Sequence, residues 1–469
     1  MIQLRNLLPL MTALAVLCSC ASAQSSDFPT SAPPDAPATK VKPGVILRKT
    51  LPNGLRVVIQ ESHRIPAVQI KMGIRAGQVS DPVDNPMMAE FALGAIQIGS
   101  VKYTAEKREK AANGMGGDLS IVMSQDYVNV SASCLSTYFG KMMDLTADMI
   151  MNPKLDPEML QSATDYMAYN VKHRRYPPPE DESKGRQAYL SRYPTADTVN
   201  RLDRDHLIEF LENYYCPNNS LLIICGDVDA PAAMRQVAAA FKEWKPGQTP
   251  PLPSFVKEVI HPFYFIYLHD APTDVESRIQ FSIDVPGLED KDRIALQLAN
   301  IITGETLDSR LFRSVREKYG YVYSINSGVD FNAYATRFWV GTMCRSAVTA
   351  KTVKQIEAEI TRMREEPVTA EELQEGKNTL NHKYDIAMQS QDAAVEQLFE
   401  VEFYKRPADY FSKLRARING MTAADVQRVA KQYMFPNGSA YIQIVGPKEK
   451  IVDRLMNAKV GEIVNPDAD

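Results

Sequence analysis

The sequence predicts an α+β fold built from two homologous domains. Three observations lead there. The first is self-similarity: "YYCPNNSLLIICG" and "YMFPNGSAYIQIVG" close the two halves, and Tyr214, Pro217, Asn218 and Ser220 recur as Tyr433, Pro436, Asn437 and Ser439 at one offset of 219 residues. The second is order, because strand-like segments precede helix-like segments in each half. The third is a proline- and glycine-rich seam, "EWKPGQTPPLPS", near the middle of the chain.

The elements follow in turn. "LRVVIQE" and "AVQIKMGIRA" alternate as strands. "MMAEFALGAIQIGS", Met87 to Ser100, reads as a buried helix closed by a turn. Helices are expected near 103–114, 137–150, 157–174 and 203–214. "LSIVMSQDYVNVSASC" reads as a hairpin turning near Ser124 to Asp126, and the glycines of "NGMGGDLS" suit a tight turn leading into it. The second half repeats the plan. "TRFWVGTMC" and a helix from about Thr349 match "DYVNVSASC" and a helix from about Ser136. Val426, Val429 and Ala430 repeat the apolar face of Leu207, Phe210 and Leu211. The expected domains are 46–245 and 261–462, joined by a linker over 246–260.

The N-terminus has another character. Arg5 precedes an apolar run from Leu7 to Leu17, the layout of a secretory signal within residues 1–23. "ASAQ" offers cleavage after Ala23, and "LCSC" resembles a bacterial lipobox with Cys20 as the lipidated residue. The Pro- and Ser-rich tract over 24–45 suits a tether. These features predict export to a bacterial periplasm or envelope, with membrane attachment by a lipid on Cys20 as one of the two outcomes. A net charge of −4 gives no electrostatic case for a nucleic-acid partner. Cys134, Cys216, Cys225 and Cys344 are scattered in apolar settings and read as buried small hydrophobes rather than a disulfide framework.

Reactive constellations are scarce. His63, His173, His206, His261, His269 and His382 include no pair at i, i+3 or i+4, and each reads as a surface or cap residue. There is no G-x-S-x-G elbow, and Ser254 and Lys257 form an isolated S-x-x-K inside the linker. No zinc site is expected on this chain.

The layout resembles the insulinase and pitrilysin family of zinc metallopeptidases. "LPNGLRVVIQE" is similar to that family's opening strand, "DMIMNP" to the close of a helix, and "SRLFRSVREKYGYVY", Ser309 to Tyr323, to its most specific C-terminal run. The resemblance implies two insulinase-type domains, each a mostly antiparallel sheet packed with helices, together forming half of a clamshell. It also implies a zinc helix reading H-x-x-E-H, two histidines for the metal and a glutamate as base. "AEFALGAIQIGS" fits the frame of that helix without a gap, and it puts Glu90 at the first histidine, Leu93 at the glutamate and Gly94 at the second histidine. The family's third ligand is a glutamate on a later helix. Here no glutamate follows Glu158 until Glu180, and the plausible positions hold Ala163, Asn170 or a near neighbour.

In bacterial members the work is often divided between two chains, one with zinc and base, the other with an arginine and a tyrosine. The matching residues are Arg316 and Tyr323, seven apart. The resemblance therefore implies a zinc-free subunit that acts in trans with a zinc-bearing, H-x-x-E-H partner on peptide or unfolded-protein substrates, itself needing no cofactor. The alternative is a non-enzymatic peptide-holding or structural protein of the same fold.

Overall fold

The computed structural model describes residues 45–82, 85, 87–172, 195–251, 264–288, 290–333, 335–387 and 389–464. The signal-like segment with Cys20, the tether up to residue 44, His173, Glu180, linker residues 252–260 with Ser254 and Lys257, and His261 lie outside them. Two six-stranded sheets organise the chain. The first contains β1 Ile46–Thr50, β2 Arg56–Glu61, β3 Ala67–Ile74, β4 Leu119–Met123, β5 Val128–Leu135 and β6 Ser220–Gly226, in the order β1-β2-β6-β3-β5-β4. The second contains β7 Tyr264–Asp270, β8 Glu276–Pro286, β9 Val322–Phe331, β10 Ala335–Arg345, β11 Ala440–Gly446 and β12 Glu462–Val464, in the order β12-β7-β11-β8-β10-β9. The topologies superpose strand for strand, as duplication requires. They differ at one edge, where β1 from the start of the described chain pairs antiparallel with β2, and β12 from its end pairs parallel with β7.

The helices repeat as well. After β3 come α1 Met88–Ile98 and α2 Ala105–Gly114; after β5 come α3 Phe139–Met151, α4 Pro157–Lys172 and α5 Arg204–Tyr214; α6 Ala230–Ala240 follows β6. In the second half α7 Asp290–Asn300 runs on as a π-helical turn, Ile301–Glu305, and α8 Phe312–Lys318 is π-helical throughout. After β10 come α9 Thr349–Glu365, α10 Ala370–Ala387, α11 Gln391–Phe403, α12 Tyr410–Gly420 and α13 Ala423–Tyr433, and α14 Lys448–Ala458 follows β11. The repeated Tyr-x-x-Pro-Asn motif ends α5 and α13 and feeds the parallel strands β6 and β11, which align as Ile59↔Ile224 and Ile266↔Ile442.

Strand alternation sorts side chains between two layers. Val57, Ile59, Val68, Ile70, Met72, Leu222 and Ile224 point into the first core, under α1, α3, α5 and α6. The opposite face of the same strands is also buried. Val58, Leu221, Ile223 and Cys225 meet Val395, Phe399 and Phe403 of α11, a helix sent across from the second half. Gly73 of β3 is needed for this approach, since a Cβ there would come within 2.4 Å of the Phe399 ring. Lys71, a polar residue that alternation alone would send to solvent, is buried beside it, ion-paired with Glu396 at 2.6 Å and lying 4.4 Å from the Phe399 ring. The described residues accordingly form one compact unit.

The seam is partly fixed. Gly247 exchanges two 3.0 Å hydrogen bonds with the Asn218 amide, which pins the start of the linker to the first half. All four cysteines of the described chain are buried and free. One histidine departs from expectation. His269 is 1% exposed rather than at the surface: it pairs with Val445 of the central strand β11, and Gln443 of β11 meets it at 3.2 Å.

Candidate functional site

Helix α1 is built to hold a fixed place. The Asp81 carboxylate accepts the Ala89 N–H at 2.6 Å, capping the first turn. At the other end the Arg108 guanidinium donates to the Ile96 and Gln97 carbonyls at 3.1 and 3.0 Å, placing a cation at the negative end of the helix. Burial lowers the Arg108 pKa from the usual arginine value. The turn after the helix is tied by Ser100, whose hydroxyl donates to the buried Asp148 carboxylate, while Asn152 donates to the other oxygen at 3.0 Å.

On this helix Glu90 is exposed, and Leu93 and Gly94 are half-buried. At i, i+3 and i+4 the three positions share one face of α1, a helix that packs against α4. A Cβ at Gly94 would meet no atom within 4 Å, so space for a side chain is present where no side chain exists. Helix α4 presents Ala163, half-buried, and Asn170, exposed. The donors at these positions do not fit zinc: Glu90 is the sole acid or base among the three, and neither Ala163 nor Asn170 of α4 is a carboxylate. Among the described residues no three His, Cys, Asp or Glu side chains converge on a common point.

The second cluster is in the other half. Arg316 lies on α8 and Tyr323 at the start of edge strand β9, and the turn between them decides their meeting. The Tyr319 and Tyr321 N–H groups reach back to the Ser314 and Val315 carbonyls, each at 3.1 Å, and Gly320 adopts φ +61°, a left-handed conformation that glycine takes without strain. The chain reverses and β9 returns beside α8. The Arg316 Cζ then lies 5.2 Å from the centroid of the Tyr323 ring and 4.6 Å from that of Phe312. Arg316 is half-buried, whereas Tyr323 is 85% exposed. Tyr319 and Tyr321 stack at 5.3 Å close by in the chain. Phe312 was not apparent as part of this group from spacing; the signal available was its place one turn before Arg316 in "SRLFRSVR".

The duplicated α+β domain and its likeness to known proteins together put the chain among peptidase-like proteins. Comparison with known proteins gives the particular family. The family model described as "Insulinase (Peptidase family M16)" matches residues 56–181, and that described as "Peptidase M16 inactive domain" matches residues 201–380. An uncharacterized zinc protease of Streptomyces coelicolor is 24% identical over 434 residues, covering 88% of this chain and 93% of its own. An uncharacterized zinc protease of Mycobacterium leprae is 21% identical, covering 83% and 89%. The crystal structure of a peptidase M16 inactive domain from Pseudomonas fluorescens shares the fold at a TM-score of 0.74 and 19% identity, covering 86% of this chain and 98% of that one. A protease from Helicobacter pylori does so at 0.74 and 16%, covering 86% and 100%. The chain belongs to the insulinase family.

Proposed function

We propose that this chain is the zinc-free subunit of an exported, two-chain insulinase-type peptidase. In this reading it forms half of the peptide chamber, and a partner with an intact H-x-x-E-H supplies zinc and base. The observation that carries the reading is the juxtaposition of Arg316 and Tyr323, a guanidinium and a phenol beside one another with the phenol open to solvent. As a peptide bond is attacked, negative charge builds on the carbonyl oxygen. A guanidinium and a phenolic O–H directed at that oxygen, or at the neighbouring substrate backbone, stabilise it. In this reading the chain, with none of the family's ligands or base at the motif positions, is inactive alone. The signal-like N-terminus supports export to the periplasm or cell envelope of a bacterium, and lipidation of Cys20 would tether it to a membrane.

One observation favours a second reading. The outer edges of β4 and β9 are unpaired among the described residues, so either sheet could add a peptide strand without chemistry. The chain would then be a holding protein. Affinity purification of the tagged full chain from its host separates the two. The peptidase reading expects a co-purifying chain with H-x-x-E-H and zinc in the complex. Recovery with bound peptide and no such chain would overturn it in favour of holding.

A further inference from the structure

We infer that Phe312 is the positioning residue for Arg316; the inference rests on the reading that Arg316 acts on a bound peptide. Three arginines follow one another along this segment, and they are held in different ways. Arg310 is paired with Glu372 through two bonds of 2.7 Å. Arg313 is paired with Asp308 at 3.4 Å. Among the described residues the Arg316 guanidinium has no hydrogen-bond or ion-pair partner and is held by two rings, Phe312 at 4.6 Å and Tyr323 at 5.2 Å.

The two rings are not equivalent. Phe312 is 7% exposed and belongs to the second core together with Leu311 and Val315. Tyr323 is 85% exposed. The surroundings fix only the first ring, so Phe312 sets where the guanidinium lies and Tyr323 covers it from the solvent side. The choice of a ring has a chemical consequence. A carboxylate would orient Arg316 by occupying its N–H groups and cancelling its charge. A ring face attracts the cation through the quadrupole and leaves the N–H rim open for a carbonyl oxygen. Phe312 and Arg316 are four apart on a π-helical segment, which keeps them on one face of it.

The test uses Phe312→Leu, which keeps apolar bulk without the ring, and Phe312→Tyr, which keeps the ring. In the isolated chain the Arg316 Nε–H resonance, assigned by its loss in Arg316→Lys, should carry a ring-current shift that collapses in Phe312→Leu and survives in Phe312→Tyr. In the complex with the zinc-bearing partner, Phe312→Leu should lower kcat about tenfold with KM within about twofold, and Phe312→Tyr should restore it. An unchanged Arg316 resonance in Phe312→Leu overturns the inference. So does wild-type turnover by Phe312→Leu when Arg316→Ala is impaired. Wild-type turnover by Arg316→Ala overturns the functional reading and the inference with it.

Discussion

Replacing Phe399 by alanine should unfasten the two halves of the molecule. Phe399 is 2% exposed, lies 4.6 Å from Phe403 and 5.0 Å from Tyr127 between ring centroids, and covers Gly73 of the first sheet. Truncating a buried phenylalanine costs about 3–5 kcal/mol from lost transfer energy and the cavity left behind. Lys71 would also lose the ring it lies over, worth about 0.5–2 kcal/mol at a desolvated site. A loss of about 4 kcal/mol falls on the contact through which α11 clamps the first sheet, and it is a large fraction of a typical domain stability. The chain carries two tryptophans, Trp244 in the first half and Trp339 in the second, so each half has its own reporter. Trp244 is buried and donates to the Tyr215 carbonyl at 2.9 Å, and Trp339 stands on β10. Urea titrations of Trp244→Phe and Trp339→Phe backgrounds should give coincident transitions when Phe399 is present. With Phe399→Ala the Trp244 transition should fall by roughly 1–2 M while Trp339 moves less. Coincident transitions at the original midpoint would refute the assignment of α11 as the clamp.

Other consequences are open to simple measurement. The purified chain should bind no stoichiometric zinc and cleave no peptide, and Glu90→His, Leu93→Glu and Gly94→His together should not build a tight site, because α4 offers Ala163 and Asn170; one zinc per chain after dialysis would contradict this. Arg108→Met removes the cation from the end of α1 and should cost about 1–3 kcal/mol, with faster amide exchange near Ile96 to Gly99. Exchange rates equal to wild type would argue against a capping role. Burial opposes ionisation of Asp292, but hydrogen bonds from Arg428 at 2.7 Å and Tyr433 at 2.9 Å outweigh it and hold the carboxyl below the usual range. A depressed native pKa gives stability that is present above about pH 4 and is lost as pH falls through the native value. Asp292→Asn should therefore lower stability at neutral pH and flatten the acid limb of urea midpoints, and an acid limb as steep as that of wild type would show that Asp292 does not contribute to it.

Much of the architecture was legible because local patterns carry it. The alternation of Val57, Ile59, Val68 and Ile70 marks strands, and the recurrence of Tyr214 and Pro217 as Tyr433 and Pro436 marks the repeat. The helix Met88–Ile98 was legible for the same reason, and Glu90, Leu93 and Gly94 fall within it. What local pattern could not give was contact between distant segments. Nothing near Lys71 or Gly73 announces that a helix more than three hundred residues later covers them, so Lys71 looks like a solvent-facing strand residue and is buried instead. His269 went the same way, as its burial depends on strand order. The π-helical winding of α8 leaves no trace in residue spacing, and Phe312 became part of the site only when that winding and the Gly320 turn set it beside Arg316 and Tyr323.

In the proposed function Arg316 and Tyr323 act on substrate in a complex whose zinc is held by another chain. The direct measurement is turnover of a peptide by the reconstituted complex carrying Arg316→Ala or Tyr323→Phe, with assembly and zinc content determined on the same samples. Expected are intact assembly, unchanged zinc, a fall of about a hundredfold or more for Arg316→Ala, and a clear loss for Tyr323→Phe, which removes one hydroxyl and keeps the ring. Two variants that assemble normally and cleave at the wild-type rate would contradict it and leave the pair a structural one.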